Sequence, residues 1–415
     1  LSVPQLAEDF FRREYAKLVA TLSRQFGFQH LQDVEDAAQS ALMSALQTWT
    51  TAGLPDNPTA WLFRVAINNV LGEIRRRNGR QNILASNTED ILPCRETGPK
   101  THGDGAFRDD LLRLLFVCCD EMVPEESQLA LALKTLCGFD TREIALRLFT
   151  TEASVYKRLG RAREKLQTRR AMPTDFSDES FSRRLPTVHS ILYLLFTEGH
   201  LSTNAEMALR RELCDEAIRL ASLLATHPVG QTTETFALLA LMHLHRARMA
   251  AREDASGGLI LLEEQDRRLW DQEQIREGME WLTRSAHGDK LTRYHAEAAI
   301  AAEHCLSPSF AETRWDRVVE CYELLEAYSP SAIHRLNRAI AVAERSGPAA
   351  GLAVLNDSEP PGWLSGSYLW AAVLADLHRR CGHGEIAQQH HKTACKLAPS
   401  SFVARALERR LSLGR

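Results

Sequence analysis

Apolar residues recur along most of this chain at spacings of three and four. Leu213, Ala217, Ile218, Leu220, Ala221 and Leu224 show the pattern, which is the period of a helix with one buried stripe. Ala, Leu, Arg and Glu dominate throughout, and the predicted fold class is all-α. Most prolines fall between the periodic segments, among them Pro55, Pro58, Pro124, Pro186, Pro228, Pro308, Pro330 and Pro348. Proline lacks the N–H that a helix interior needs, so these positions punctuate helices.

Two stretches lose the period and fill with turn-forming and polar residues, roughly 79–105 and 170–180. They predict a helical domain over 1–80, a linker over 81–105, a second helical unit over 106–170 and a helical extension over 171–415. The extension holds a weak repeat. Gly347 and Gly382 open two similar runs, and Ala387, Ala394 and Pro399 have the spacing of a tetratricopeptide helix pair, in which small residues let two antiparallel helices approach closely. One such unit is expected from Tyr368 to Ser401.

Composition narrows the class. A chain of 415 residues with 44% hydrophobic residues is long enough for two or three cores. The long uncharged stretch from Ala37 to Pro55 carries Gln39, Ser40, Ser44, Gln47, Thr48, Thr50 and Thr51, too polar for a membrane span. The first residues lack a basic stretch followed by an apolar one, so a secretory signal is not expected. The cysteines number nine and include no C-x-x-C pair, which fits small buried hydrophobes in a reducing compartment better than a disulfide framework or zinc ribbon. The expected location is cytoplasmic, with no membrane partner.

The net charge of -4 hides segments of opposite character. Trp61 to Arg80 contains Arg64, Arg75, Arg76, Arg77 and Arg80 against one acid, Glu73. Arg142 to Arg170 contains nine basic residues against Glu143, Glu152 and Glu164. Basic helices of this kind neutralise DNA phosphates, or are simply solvated faces. The second adds a pattern. A helix is expected from Thr141, with Glu143 close behind and Ile144, Ala145 and Leu148 apolar, then a turn over Phe149 to Thr151. A second helix follows with Val155, Leu159, Ala162 and Leu166 facing inward. Glu152, Ser154, Lys157, Arg158 and Arg161 face outward. This is the spacing of a helix-turn-helix, whose second helix enters the major groove; an ordinary helical hairpin has the same pattern.

At these residues the chain resembles bacterial RNA polymerase sigma factors of the extracytoplasmic-function class, in the group with a long tetratricopeptide-like C-terminal extension. Asp33 to Leu42 (DVEDAAQSAL) is similar to the acidic start of region 2. Asn57 to Arg77 (NPTAWLFRVAINNVLGEIRRR) is similar to the segment that melts and reads the -10 element. Asp109 through Leu166 is similar to region 4, which reads the -35 element. In the extension, Tyr193 to Gly199, Glu216 to Leu220, Glu264 to Asp271, Ala298 to Ala302 and Leu336 to Ala341 carry the likeness. Two departures stand out: Asp-Glu-Met follows Cys118-Cys119 where much of the group has a His, and Gly72 replaces a frequent acid.

The resemblance implies a region 2 bundle, a region 4 helix-turn-helix and a tetratricopeptide-like helical domain. Its implied partners are core RNA polymerase, promoter DNA and a regulatory protein at the C-terminal domain. Asp33, Glu35, Asp36 and Gln39 would dock on the polymerase; acids here also suit a helix N-terminus. Asn57, Arg64, Asn68, Arg75 and Arg76 would follow -10 DNA, with the loop from Thr50 to Asn57 catching unstacked bases and Trp61 assigned to the core. Glu152, Ser154, Lys157, Arg158 and Arg161 would meet the -35 duplex. No catalytic residue, cofactor or metal is expected, because the polymerase performs the chemistry. The charges and Trp270 of Glu264 to Asp271 are expected to form a buried ion-pair network between helices. His383, His390, His391 and Glu385 read as a surface cluster. The alternative is a helix-turn-helix regulator with a tetratricopeptide-like sensor that acts without polymerase; an enzyme would need a pocket of convergent polar groups.

Overall fold

The structure is a computed structural model that describes residues 3–84, 104–148, 150–167, 178–201, 209–254, 258–288, 290–356, 360–398 and 401–412. Among these residues helices dominate, with no strand beyond an isolated antiparallel bridge between Glu253 and Leu259, so the all-α expectation holds. The chain forms two compact units, Leu1–Ile191 and Leu192–Arg415.

The first unit opens with α1 (Val3–Phe26), α2 (Leu31–Ala52) and α3 (Pro58–Leu84). Val34, Ala38, Ala41 and Ala45 form the buried stripe of α2, and Leu62, Ala66 and Val70 that of α3, each one helical turn apart. A turn at Gly53, with φ of 83°, closes α2; a side chain there would strain the left-handed backbone. Next come α4 (Asp104–Cys118), α5 (Glu125–Thr135), α6 (Thr141–Arg147) and α7 (Glu152–Gln167). Val155, Leu159, Ala162 and Leu166 of α7 are all buried, as their period predicts. The two helical groups are not separate modules. α1 packs on α4, and α7 packs on both α5 and the Phe28–His30 turn.

α8 (Asp178–His200) follows, and the unit boundary falls inside it, later than the composition break near 170. Pro186 lies within this helix rather than between helices. The expected linker over 81–105 is shortened by α3 and α4, and its middle, with Cys94, lies outside the described residues. Pro399 does too.

The second unit continues with α9 (Arg211–Thr226), α10 (Thr233–Ala247), α11 (Gln272–Ser285), α12 (Arg293–Leu306), α13 (Trp315–Tyr328), α14 (Ala332–Ser346), α15 (Pro348–Asn356), α16 (Gly362–Ser365), α17 (Tyr368–Arg380), α18 (Gly384–Lys396) and α19 (Ser401–Ser412). Successive helices pack as hairpins, α14 on α15 and α17 on α18. Gly347 and Gly382, the two glycines of the weak repeat, both turn their hairpins at positive φ. Ala387 and Ala394 are buried between α17 and its neighbour, as their small size predicts. Cys118, Cys119, Cys137 and Cys214 are buried thiols, and Cys305, Cys321, Cys381 and Cys395 are half-buried; none of these eight forms a disulfide.

Candidate nucleic-acid interface

Asn57 begins the first candidate surface by capping α3: its side-chain oxygen accepts from the Ala60 N–H at 3.0 Å, satisfying a donor the helix cannot. Arg64, Asn68 and Arg75 are exposed and lie close to one line along α3. Arg76 turns away from that line and pairs with Glu73 at 2.6 Å. Trp61 packs edge-on against Trp49, ring centroids 5.5 Å apart, and is half-buried rather than fully in the core. In the loop before it, Leu54 is 74% exposed, an apolar surface beside the α3 N-terminus.

The helix-turn-helix has the expected elements with a different cap. Asp140, not Thr141, starts α6: its carboxylate accepts from the Glu143 N–H at 2.7 Å, and Glu143 accepts from the Asp140 N–H at 2.9 Å. This reciprocal pair is a capping box. Thr151 caps α7 by accepting from the Ser154 N–H at 3.2 Å. On α7, Glu152, Lys157 and Arg161 are exposed, while Ser154 and Arg158 are half-buried. Arg158 is held at 2.8 Å by Glu126 of α5. Tyr156, which was not among the expected DNA-facing residues, is 63% exposed between Val155 and Lys157. An aromatic flanked by a buried residue and a cation was the available signal.

The acidic helix differs most from expectation. Asp36 and Gln39 of α2 are exposed, but Asp33 and Glu35 turn inward. Glu35 is only 1% exposed. It accepts from Thr135 Oγ1 at 2.6 Å and from Arg163 Nη2 at 2.5 Å, so α5 and α7 both close over it. Asp33 meets His30 Nδ1 at 3.2 Å. Partial desolvation at the edge of this contact raises the Asp36 acid, against the pull of Arg163. Arg24 and the buried Asp110 add an ion pair between α1 and α4 at 3.3 Å.

Asp120 explains one departure noted in the sequence. It is buried, and Arg184 of α8 reaches it at 3.2 Å while also donating to the Phe116 carbonyl at 3.0 Å. The segment Glu264 to Asp271 meets another expectation only in part: Glu264 pairs with Arg409 of α19 at 3.5 Å, but the charges around Trp270 do not form a buried network. Arg268 is 90% exposed and pairs locally with Asp266, while Arg267 lies 4.4 Å from the buried Trp270 ring and donates to the His304 and Ser307 carbonyls. Asp271 caps α11.

Comparison with known proteins agrees with this geometry. A family model described as "Sigma-70 region 2" matches residues 11–80, and one described as "Sigma-70, region 4" matches 113–166. A model described as "Family of unknown function (DUF6596)" matches 184–286. A protein of Rhizobium meliloti (strain 1021), named "Uncharacterized protein R00370", is 35% identical over 380 residues, which span 91% of this chain and 89% of the relative. No solved structure matches. With α1 to α3 under the first model and α4 to α7 under the second, the chain belongs to the sigma-70 family of RNA polymerase sigma factors and carries a further helical domain after region 4.

Proposed function

We propose that this chain is a sigma factor of the extracytoplasmic-function type, binding core RNA polymerase in the cytoplasm and selecting promoters for it, with a tetratricopeptide-like extension that regulates its activity. The observation that carries the reading is the pairing of two cationic helix faces in one unit: Arg64, Asn68 and Arg75 on α3, and Lys157 and Arg161 on α7. Each suits phosphate contact, and the exposed Leu54 suits an unstacked -10 base. The chain itself needs no reacting side chain, because it supplies binding free energy and discrimination while polymerase transfers the nucleotidyl group.

The burial of Glu35 adds a condition. Docking through Asp33, Glu35, Asp36 and Gln39 requires α7 to release Arg163, so polymerase binding and freeing of the helix-turn-helix are coupled. A closed population lowers the apparent affinity by the fraction that is open. The hairpins of α14 to α18 support an extension that receives a regulatory protein on its helical surface.

In vitro transcription with core polymerase and the full chain, with start sites mapped, tests the reading. Specific starts with consistent -10 and -35 sequences are expected. Promoter binding without any binding to core would favour the polymerase-independent regulator.

A further inference from the structure

The second unit contains a cavity of about 510 Å³ in the range that holds small-molecule ligands. The ends of α10 and α12, the starts of α13 and α17, and one side of α19 line it. Its wall is mainly apolar and aromatic, with Trp315, Tyr322 and Leu407 among the lining residues. Arg248 and Arg252 face into this wall. Arg248 is 8% exposed, and its buried Nε has no hydrogen-bond partner among the described residues; the Trp270 ring lies 5.3 Å away. Arg252 donates to the His200 carbonyl at 2.8 Å. No carboxylate among the described residues pairs with either.

Burial first, and then the like charge of Arg267 on Arg248 and of Arg248 on Arg252, push both guanidiniums down, Arg248 to about 10 and Arg252 to about 9, so both remain cations at neutral pH. Two poorly solvated like charges, Arg248 buried and Arg252 half-buried, with no acidic partner among the described residues destabilise a fold, and apolar side chains of similar volume would pack there at lower cost. The surrounding imidazoles do not supply the missing charge. His200, His245 and His304 are held neutral, by burial first and by the nearby guanidiniums second. Their Nδ1 atoms have no hydrogen-bond partner among the described residues. The lining acids Asp376 and Glu344 are engaged elsewhere, Asp376 accepting from Arg379 at 2.9 Å and Glu344 from Arg380 at 2.5 Å.

We propose that this cavity is a ligand site for a small organic carboxylate, whose charged end sits between Arg248 and Arg252 and whose apolar body packs against Trp315, Tyr322 and Leu407. A planar carboxylate matches the guanidinium fork. Two cations in an apolar wall suit a monoanion. The assignment stands independently of promoter recognition.

Titration calorimetry on the full chain tests it, using octanoate, 4-phenylbutanoate and indole-3-acetate, with 1-octanol and inorganic phosphate as comparators. At least one carboxylate should bind saturably and at least tenfold more tightly than both comparators. Arg248→Met should weaken that binding at least tenfold while leaving the thermal midpoint of the free protein unchanged or raised, since it removes an uncompensated buried charge. Leu407→Trp, which keeps both arginines and fills the cavity, should also weaken binding at least tenfold. The proposal is overturned if no carboxylate binds, if octanol matches octanoate, if either variant retains full binding, or if Arg248→Met lowers the midpoint as a structural arginine would.

Discussion

Arg158 and Arg163 lie five positions apart on α7 and meet different acids, one exposed and one buried. Glu126 is solvent-facing, so its bond to Arg158 is worth no more than about 1 kcal/mol and DNA phosphates can displace it. Glu126→Ala should therefore strengthen promoter binding a few-fold, most clearly at low salt. Arg161→Ala should weaken binding across promoter sequences and lower the slope of log affinity against log salt by about 1; filter binding over a salt series reads both effects. The buried face of α7 was legible in sequence because Val155, Leu159, Ala162 and Leu166 repeat with the helix itself. The destination of Arg163 was not, since Glu35 lies 128 residues earlier and no local spacing encodes so distant a partner. Asp140 was missed for a smaller reason: Thr141 is also a good cap, and only backbone geometry separates adjacent candidates.

At the scale of elements, ion pairs and close helix contacts hold the fold where periodicity alone predicts only a stripe. Glu35→Gln would leave Arg163 without its countercharge, and about 3 kcal/mol of stability should be lost from the first unit, because Arg163 retains some solvent access. Urea unfolding of the full chain measures this loss. Arg163→Ala should loosen the same closure and raise the apparent affinity for core polymerase; unchanged affinity would mean that α2 docks without α7 moving. In the second unit, Gly351 brings α15 against α14. A Cβ there would fall 2.6 Å from the Ala339 carbonyl oxygen, so Gly351→Ala should destabilise that hairpin by about 1–3 kcal/mol. The repeat alignment anticipated the helix pair that turns at Gly382, because turn glycines and small packing residues leave local marks, and the aligned Gly347 turns a second hairpin. The segment from Glu264 to Asp271 was legible only in part, because alternating charge looks alike whether it crosses between helices, as from Glu264 to Arg409, or folds back on its own turn, as from Asp266 to Arg268.

For the whole molecule, the composition break near 170 and the structural division inside α8 make different predictions. A chain ending at Arg170 loses Arg184 from buried Asp120 and Phe181 from the face of Phe116, whose ring centroid lies 4.3 Å away. It should be about 3–5 kcal/mol less stable than one ending at Ile191, as urea midpoints would show. The second unit has its own pH signature. The folded form holds His304 down at about 3, and His200 and His245 well below 6.5, so the unfolded chain binds more protons between these values. Their contribution is complete above pH 6.5 and fades as pH falls toward 3, at up to roughly 1.4 kcal/mol per pH unit for each histidine. Thermal midpoints between pH 7 and pH 5 should fall accordingly. The 128-residue interval between Glu35 and Arg163 also has a meaning in time. At synthesis rates of about 5–20 residues per second, the ribosome makes the acid roughly 6–26 s before the base, so every new chain begins life with Glu35 of α2 uncovered and only later acquires the means to close over it.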